Sequence, residues 1–260
     1  VDTIVPTLVQ TQIAGSGING NAKAGDVVTI TLFASEQVSL VGGSPTLSFT
    51  VGGVVRTATY DALATTSQGA NSLVFKYTVV TGDSSMGTAN LTPTALNLGG
   101  ATLSDLAGNP ANLGLGELLA NSVLVDTQAP LAPTITLVGG TDAASAGGTT
   151  VNVAEATAGV AVRVQITGSG AIAGDTIEIS WGGSTVAQVL LASEISSGFA
   201  QVMVGKSAIS TFTGNAVVTA RLIDQVGNSS PNSTSQVVAV DTEPPAAPDL
   251  AVFMSDNLIN

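Results

Sequence analysis

Short hydrophobic stretches recur along the chain, and within them apolar and polar residues alternate with the two-residue period of β-strands. Glycine-rich turns such as Gly42-Gly43, Gly52-Gly53 and Gly82-Asp83 separate these stretches. The predicted strands are 27–33, 46–51, 55–60, 73–79 and 122–125 in the first half, and 134–137, 161–166, 176–181, 200–204, 216–223 and 236–240 in the second. The pattern predicts an all-β protein with almost no helix.

One hexapeptide pattern, Val-Asp-Thr-x-x-Pro, occurs three times, at 1–6, 125–130 and 240–245. Its aspartates are 124 and 115 residues apart, which is about the length of one β-sandwich domain. A second pattern, Asp-x-x-Gly-Asn, occurs at 105–109 and 224–228, 21 and 17 residues before the next linker aspartate. A linker that recurs together with an upstream turn indicates a tandem array of domains.

These repeats predict the domain boundaries. We expect an incoming linker at 1–6, a first sandwich at 7–125, a linker at 126–130 and a second sandwich at 131–240. Residues 241–260 would form a linker and the truncated start of a third domain. The expected fold class is tandem immunoglobulin-like Greek-key β-sandwiches arranged end to end, with Trp181 in a core rather than in a ligand-stacking role.

Composition excludes several kinds of chemistry. The chain has no cysteine and no histidine, so disulfides, thiolate catalysis, histidine-based zinc sites and Ser-His-Asp triads are excluded. Eighteen acidic and six basic residues give a formal charge of −12, which disfavours nucleic acid as a partner. No apolar run is long enough for direct membrane insertion. Gly205-Lys206-Ser207 lacks the first glycine of a phosphate loop, and we expect no enzyme activity.

The motifs also carry a family resemblance. Residues 24–109, with Ala24-Gly25-Asp26, Phe33-Ala34-Ser35-Glu36, 56–60 and Asp105–Asn109, resemble one class of bacterial Ig-like repeat. Residues 151–241, with 153–156, 173–176, Trp181-Gly182-Gly183 and 224–228, resemble a related class. Both classes are found in large repetitive surface adhesins that are often exported by type I secretion. The resemblance implies an extracellular location at the bacterial cell surface and a role as a structural repeat in adhesion.

Calcium is the expected cofactor, because it prefers six to eight hard oxygen ligands and the 18 acidic residues of this chain outnumber its six basic ones. In a seven-stranded sandwich the first and last strands run in the same direction, so alternate loops meet at each junction. The predicted ligands are Asp126, Asp224, Asp175, Asp83 and Asp26 between the two domains, Asp2, Glu36 and Asp105 before the first, and Asp241 and Glu155 after the second. The alternative for Asp105 and Asp224 is an Asx-turn beside glycine, and Asp26 and Asp83 could equally be ordinary turn residues.

The sequence leaves three functions open. The favoured one is a structural extension repeat whose partners are the neighbouring repeats of the same chain, with calcium making the junctions rigid. The second is a self-assembling surface-layer or filament subunit that joins like chains by strand addition. The third is a module that binds carbohydrate or protein, for which one tryptophan and two tyrosines offer few exposed aromatic contacts.

Overall fold

Strands account for most of the regular structure in the computed structural model, which describes residues 1–85, 91–138, 150–209 and 214–243. The chain divides into two units. The first contains Val1–Pro130 together with Ile223–Ser229, and the second contains Leu131–Leu222 and the chain from Ser230 onward. Among the described residues, no helix is both long and apolar enough to cross a membrane.

The first unit is built on a seven-stranded sheet and a two-stranded sheet. Its elements are β1 Leu8–Gly15, β2 Val27–Ala34, β3 Ser39–Val41, β4 Thr46–Val51, β5 Val54–Tyr60, α1 Ala62–Gln68, β6 Ser72–Thr78, β7 Thr92–Asn97, β8 Thr102–Ser104 and β9 Glu117–Leu118. The larger sheet has the order β7-β4-β5-β6-β2-β1-β9, and β3 pairs with β8.

A single core lies between the two halves of the larger sheet. β5 and β6 pair through only two residue pairs, so the sheet is nearly divided there. Leu47 and Phe49 of β4 and Ile30 and Leu32 of β2 are all fully buried in the same hydrophobic cluster. Each such side chain contributes roughly 1.5–3 kcal/mol by leaving water. The two halves therefore pack against each other as a β-sandwich.

The second unit is a sandwich of two separate sheets, with orders β10-β12-β15 and β11-β17-β16-β13-β14. Its elements are β10 Thr134–Val138, β11 Thr150–Val151, α2 Val153–Ala158, β12 Val160–Gln165, β13 Thr176–Trp181, β14 Ser184–Val189, α3 Ala192–Ser197, β15 Phe199–Val204, α4 Lys206–Ile209, β16 Gly214–Ile223 and β17 Gln236–Val240. Ile179 and Trp181 from the five-stranded sheet share one core with Val162 and Val202 from the three-stranded sheet. Trp181 is fully buried, which confirms its predicted core position.

Each unit pairs an early strand with its last strand in parallel, and this early strand is the first one in the first unit and the one after β10 in the second. β1 pairs with β9 in the first unit, and β11 pairs with β17 in the second. Because parallel partners run the same way, the chain enters a domain at one pole and leaves it at the other. This is the strand direction on which the predicted placement of the loops depends.

The all-β prediction is confirmed, and 46–51, 176–181 and 236–240 match β4, β13 and β17 in both bounds. The predicted strand 122–125 is wrong as a continuous strand, since only Val125 makes a bridge, to Ala22. Its N–H groups donate to side chains, from Leu124 to Asn21 Oδ1 and from Val125 to Ser85 Oγ. The carbonyl oxygens of the same two residues accept from the backbone N–H groups of Ala22 and Ser85. The predicted third domain at 241–260 lies outside the described residues after Glu243.

Candidate metal centre

The two Asp-x-x-Gly-Asn segments form the same closed loop. In Asp105–Asn109, the Asp105 N–H donates to Asn109 O at 3.1 Å, and the Asn109 N–H donates to Asp105 Oδ1 at 2.8 Å. Asn109 Nδ2 then donates to Asp105 Oδ2 at 2.6 Å. Gly108 has φ 93°, which favours glycine because L side chains rarely adopt it.

The second copy, Asp224–Asn228, repeats this geometry closely. The three corresponding distances are 3.0, 2.8 and 2.7 Å, and Gly227 has φ 92°. The sequence repeat is therefore a structural repeat. The repeated loop includes the Asx-turn that was the alternative to a metal role for Asp105 and Asp224. This turn by itself neither requires nor excludes a metal ion.

In both copies the asparagine side chain also reaches a linker backbone. Asn109 Nδ2 donates to the Asp2 carbonyl oxygen at 3.2 Å. Asn228 Nδ2 donates to the Asp126 carbonyl oxygen at 3.0 Å, and both of these residues belong to the first unit. The two linkers thus meet the two loops through the same atoms.

All three linker aspartates form the same local turn. Asp2 Oδ1 accepts from Ile4 N–H at 3.0 Å, Asp126 Oδ1 from Gln128 N–H at 2.9 Å, and Asp241 Oδ1 from Glu243 N–H at 3.1 Å. In each case these bonds involve only one of the two carboxylate oxygens.

Three carboxylates converge where the first linker enters the first unit. One oxygen each from Asp2, Glu36 and Asp105 lies within 4.8 Å of the others, and among the described residues this is the one such group of three. Asp105 is buried, Glu36 is half-buried and Asp2 is exposed. Glu36 Oε1 is itself buried and has no hydrogen-bond partner. No salt bridge among the described residues includes any of the three.

The local environment moves the pKa values of two of these groups in opposite directions. Burial, followed by the charges of Asp2 and Asp105, raises the pKa of Glu36. Burial alone would also raise the pKa of Asp105, but hydrogen bonds from the Asn109 side chain and from backbone N–H groups outweigh it and lower that pKa. Of these two carboxylates, Glu36 is therefore the one whose charge is less compensated by the protein.

The donor set fits a hard divalent cation. Three carboxylates supply hard oxygens, and Glu36 Oε1 is an unpartnered buried acceptor within the group. Calcium accepts such oxygens and completes its coordination with backbone carbonyls and water. The structure thus brings Asp2, Glu36 and Asp105 together, while their role as metal ligands stays a prediction.

Asp83 and Asp26 lie elsewhere in the first unit and have protein partners. The Asp83 side chain is fully buried, and its Oδ1 accepts from Arg56 Nε and Nη2, both at 2.6 Å. Its Oδ2 accepts from the Tyr77 hydroxyl and from Val80 N–H. Burial and the bond to Asp83 raise the pKa of Tyr77 to about 12. Asp26 Oδ2 closes a turn by accepting from Lys23 N–H at 3.0 Å.

The remaining predicted ligands lie in turns and caps of the second unit. Asp175 is buried, and its Oδ2 accepts from Ile172 N–H at 2.9 Å. Glu155 caps α2, where its Oε2 accepts from Asn152 N–H at 2.9 Å. Asp241 N–H donates to Val151 O, four residues before Glu155. The metal roles of these residues stay predictions.

Sequence reasoning missed Asn109 and Asn228. In the sequence they are only parts of a turn motif, whereas in the structure their side chains bond to linkers that lie 107 and 102 residues away along the chain. The signal that could have identified them was the recurrence of asparagine at the same distance after the motif aspartate.

The chain is similar to several solved structures. One is a 1.5-MDa bacterial ice-binding adhesin studied for its retention at the host cell surface, at 20% identity over 91% of this chain and 66% of that chain, with a TM-score of 0.35. A Ca²⁺-stabilized adhesin with which an Antarctic bacterium binds ice has 20% identity over 91% of this chain and 50% of that chain, with a TM-score of 0.36. A bacterial immunoglobulin-like domain from the M. primoryensis ice-binding adhesin has 26% identity over 44% of this chain and 100% of that domain, with a TM-score of 0.30.

These three TM-scores lie below 0.5, so the description as tandem immunoglobulin-like sandwiches rests on the strand pairings and cores of the chain itself. The chain spans about two thirds of the first of these structures and half of the second. No family model matches the chain, and no curated protein does.

Proposed function

We propose that this chain is part of the extension region of a bacterial surface adhesin, and that Ca²⁺ makes its domain junctions rigid. The observation that carries the proposal is the convergence of Asp2, Glu36 and Asp105 at the point where a linker enters a sandwich. The protein would be extracellular, and its partners would be the neighbouring repeats of the same chain.

The convergence favours a cation because the three groups repel one another. One oxygen from each lies within 4.8 Å of the others, and no described lysine or arginine forms a salt bridge with them. A bound Ca²⁺ would offset two of three negative charges and would use Glu36 Oε1, a buried oxygen without a hydrogen-bond partner.

Rigidity follows from the origin of the ligands. Asp2 belongs to the linker, Asp105 to the loop after β8, and Glu36 to the segment after β2. An ion held by all three would tie the linker to two separate parts of the sandwich. It would also stabilise the folded domain by mass action, by about 2.7 kcal/mol when the free ion is at 100 times its Kd.

We extend the proposal to the next linker because its local geometry is the same. Asp126 and Asp224 have the turn, loop and asparagine contacts of Asp2 and Asp105. Asp175 is the third ligand that the sequence predicts there. The calcium proposal no longer needs Asp83, because Arg56 and Tyr77 already bind its carboxylate.

Glu36→Gln gives the sharpest test, because it keeps the shape of the side chain and removes its charge. The raised pKa of Glu36 means that the folded state disfavours the charged form, so metal-free stability falls as pH rises through that pKa. Near neutral pH in EGTA, the variant should therefore be more stable than the wild type. In Ca²⁺ it should be less stable, because a ligand is lost.

The measurement is urea unfolding of the full chain with and without Ca²⁺, followed by tyrosine fluorescence, since both tyrosines lie in the first unit. Glu117→Gln is the matched control, because Glu117 is exposed and lies outside the group of three. It should behave as the wild type in both conditions. A wild type whose stability does not respond to Ca²⁺, or a Glu36→Gln variant with an unchanged response, would contradict calcium binding at this position.

Small-angle X-ray scattering tests rigidity separately from binding. In EGTA the uncompensated carboxylates should repel. Bending at the residues between Asp126 and Pro130, slower than the picosecond-to-nanosecond motion that order parameters report, should then widen the range of interdomain angles. We expect a narrow distribution of interatomic distances in Ca²⁺ and a broader one in EGTA, with both sandwiches folded. Equally narrow distributions would mean that the linker is stiff without the metal.

A further inference from the structure

The asparagine of each Asp-x-x-Gly-Asn loop makes a contact that closing the loop does not require. The Asn109 backbone N–H already donates to Asp105 Oδ1, and almost any residue could supply that bond. The carboxamide is used differently: one Nδ2–H donates to Asp105 Oδ2 and the other to the Asp2 carbonyl oxygen. The side chain therefore joins the loop to a linker 107 residues away in sequence.

The same side chain makes the same two bonds in the second copy. Asn228 Nδ2 donates to Asp224 Oδ2 at 2.7 Å and to the Asp126 carbonyl oxygen at 3.0 Å. The two contacts join different linkers to different loops, so they are independent observations of one arrangement. In each of them the linker aspartate also holds its own Asx-turn, which fixes how its backbone is presented.

We infer that Asn109 and Asn228 are linker-binding residues, and that each Asp-x-x-Gly-Asn loop is a docking surface whose partner is the Val-Asp-Thr segment entering the sandwich. The bond is between a neutral amide and a backbone carbonyl, so it needs no metal ion. The asparagine bond would hold the linker in position even when no ion is bound, which goes beyond the proposed calcium site. It also sets the linker aspartate beside the loop aspartate.

Asparagine is suited to this position for a chemical reason. Its NH₂ group has two donors, and both are used here by oxygen acceptors. Aspartate has the same shape but would present a carboxylate oxygen to the Asp2 carbonyl and to the Asp105 carboxylate. Alanine keeps the backbone bond that closes the loop and loses both side-chain bonds.

The test is ¹⁵N relaxation of the full chain in EGTA, with Thr3 and Ile4 as reporters. Asn109→Ala and Asn109→Asp are compared with the wild type and with Asn97→Ala. The last is a matched control, because Asn97 Oδ1 also caps a turn in this unit, at Gly99 N–H, without touching a linker. In the wild type and the control, both reporters should have order parameters near the rigid value of about 0.85. In both Asn109 variants they should fall below about 0.6.

A second reporter separates linker binding from loop closure. If Asn109 served only to close its loop, its replacement would loosen residues 106–109 and leave the linker amides as they were. We expect the opposite, because the backbone bond from Asn109 N–H to Asp105 Oδ1 persists in both variants. Unchanged order parameters at Thr3 and Ile4 in both variants, or a mobile wild-type linker in EGTA, would overturn the inference.

The metal-free condition keeps this test apart from the calcium proposal. If calcium does not bind, the order parameters in EGTA still decide whether Asn109 holds the linker. If Asn109 does not hold the linker, the opposite effects of Glu36→Gln in EGTA and in Ca²⁺ can still be observed. Each proposal can thus fail alone.

Discussion

Replacing Asp83 by alanine should destabilise the first sandwich by about 3 kcal/mol, whether or not calcium is present. The carboxylate is fully buried and accepts two bonds from Arg56, one from Tyr77 and one from Val80 N–H. Removing one partner of a buried ion pair typically costs about 3–5 kcal/mol, because the other charge is left uncompensated. The Arg56 side chain is 27% exposed and can recover some hydration, which places the loss at the lower end.

Intrinsic fluorescence allows the two sandwiches to be followed separately in one urea titration. Tyr60 and Tyr77 lie in the first unit, and Trp181, the single tryptophan, lies in the second. We expect the tyrosine-reported midpoint of Asp83→Ala to fall while the tryptophan-reported midpoint stays near that of the wild type. A double-mutant cycle with Arg56→Met isolates the pair, since most of the loss should already be present in Arg56→Met.

The calcium dependence of this stability loss distinguishes between two roles for Asp83, an arginine-paired carboxylate and a metal ligand. A loss that is equal in EGTA and in Ca²⁺ identifies a carboxylate compensated by arginine. A loss below about 1 kcal/mol would place the pair among weak surface ion pairs and refute the reasoning from burial. A loss that appears only in Ca²⁺ would instead restore Asp83 as a metal ligand, as the sequence predicted.

Two further predictions concern the same unit. The pKa of Tyr77, about 12, exceeds the ordinary value of 10.0. The contribution of this residue to stability should therefore be complete below about pH 10 and be lost progressively up to about pH 12. Asp83→Asn should shift the alkaline rise in phenolate absorbance to lower pH, because the bond to Asp83 helps to raise the pKa of Tyr77. Gly52→Ala should destabilise this unit by more than Gly53→Ala, because both have positive φ but only at Gly52 would a Cβ lie 2.0 Å from Ser84 O. Urea midpoints of the two alanine variants measure the difference, and equal midpoints would show that backbone strain alone matters.

Strict alternation made β4 predictable from the sequence, although it did not identify every strand, since β14 also alternates and was not predicted. In β4 every second residue is buried, and the predicted bounds are the observed ones. β1 was missed because a register shift between Leu8 and Gln10 breaks the two-residue period. α1 was missed because none of its residues is buried, so it has no amphipathic pattern. Its first turn depends on Asp61, whose side chain accepts from Ala64 N–H.

The carboxylate group at the first linker could be anticipated because it follows from strand direction. Parallel first and last strands bring the linker and alternate loops to one pole, and Asp2, Glu36 and Asp105 do converge there. The partners of Asp83 could not be anticipated, because a carboxylate in a turn gives no local sign of an arginine on another strand. Pairing across strands depends on register, which the pattern of one strand does not specify.

The distribution of positive charge gives a further reason to expect an external cation at the linkers. The chain has six lysines and arginines for 18 acidic residues. Arg56, Lys76 and Arg221 form salt bridges with Asp83, Asp61 and Glu178, and Arg163 lies over the Phe199 ring. Lys23 Nζ donates to Gly227 O of the second Asp-x-x-Gly-Asn loop, and not to a carboxylate. The buried carboxylate of Asp83 thus receives an arginine, whereas the linker carboxylates of Asp2, Asp126 and Asp241 accept from neutral backbone N–H groups, and the loop carboxylate of Asp105 accepts from the neutral side chain of Asn109. A neutral donor can position these groups but cannot remove their repulsion. Holding the linker and neutralising its charge are therefore separate tasks, and we assign the first to asparagine and the second to calcium.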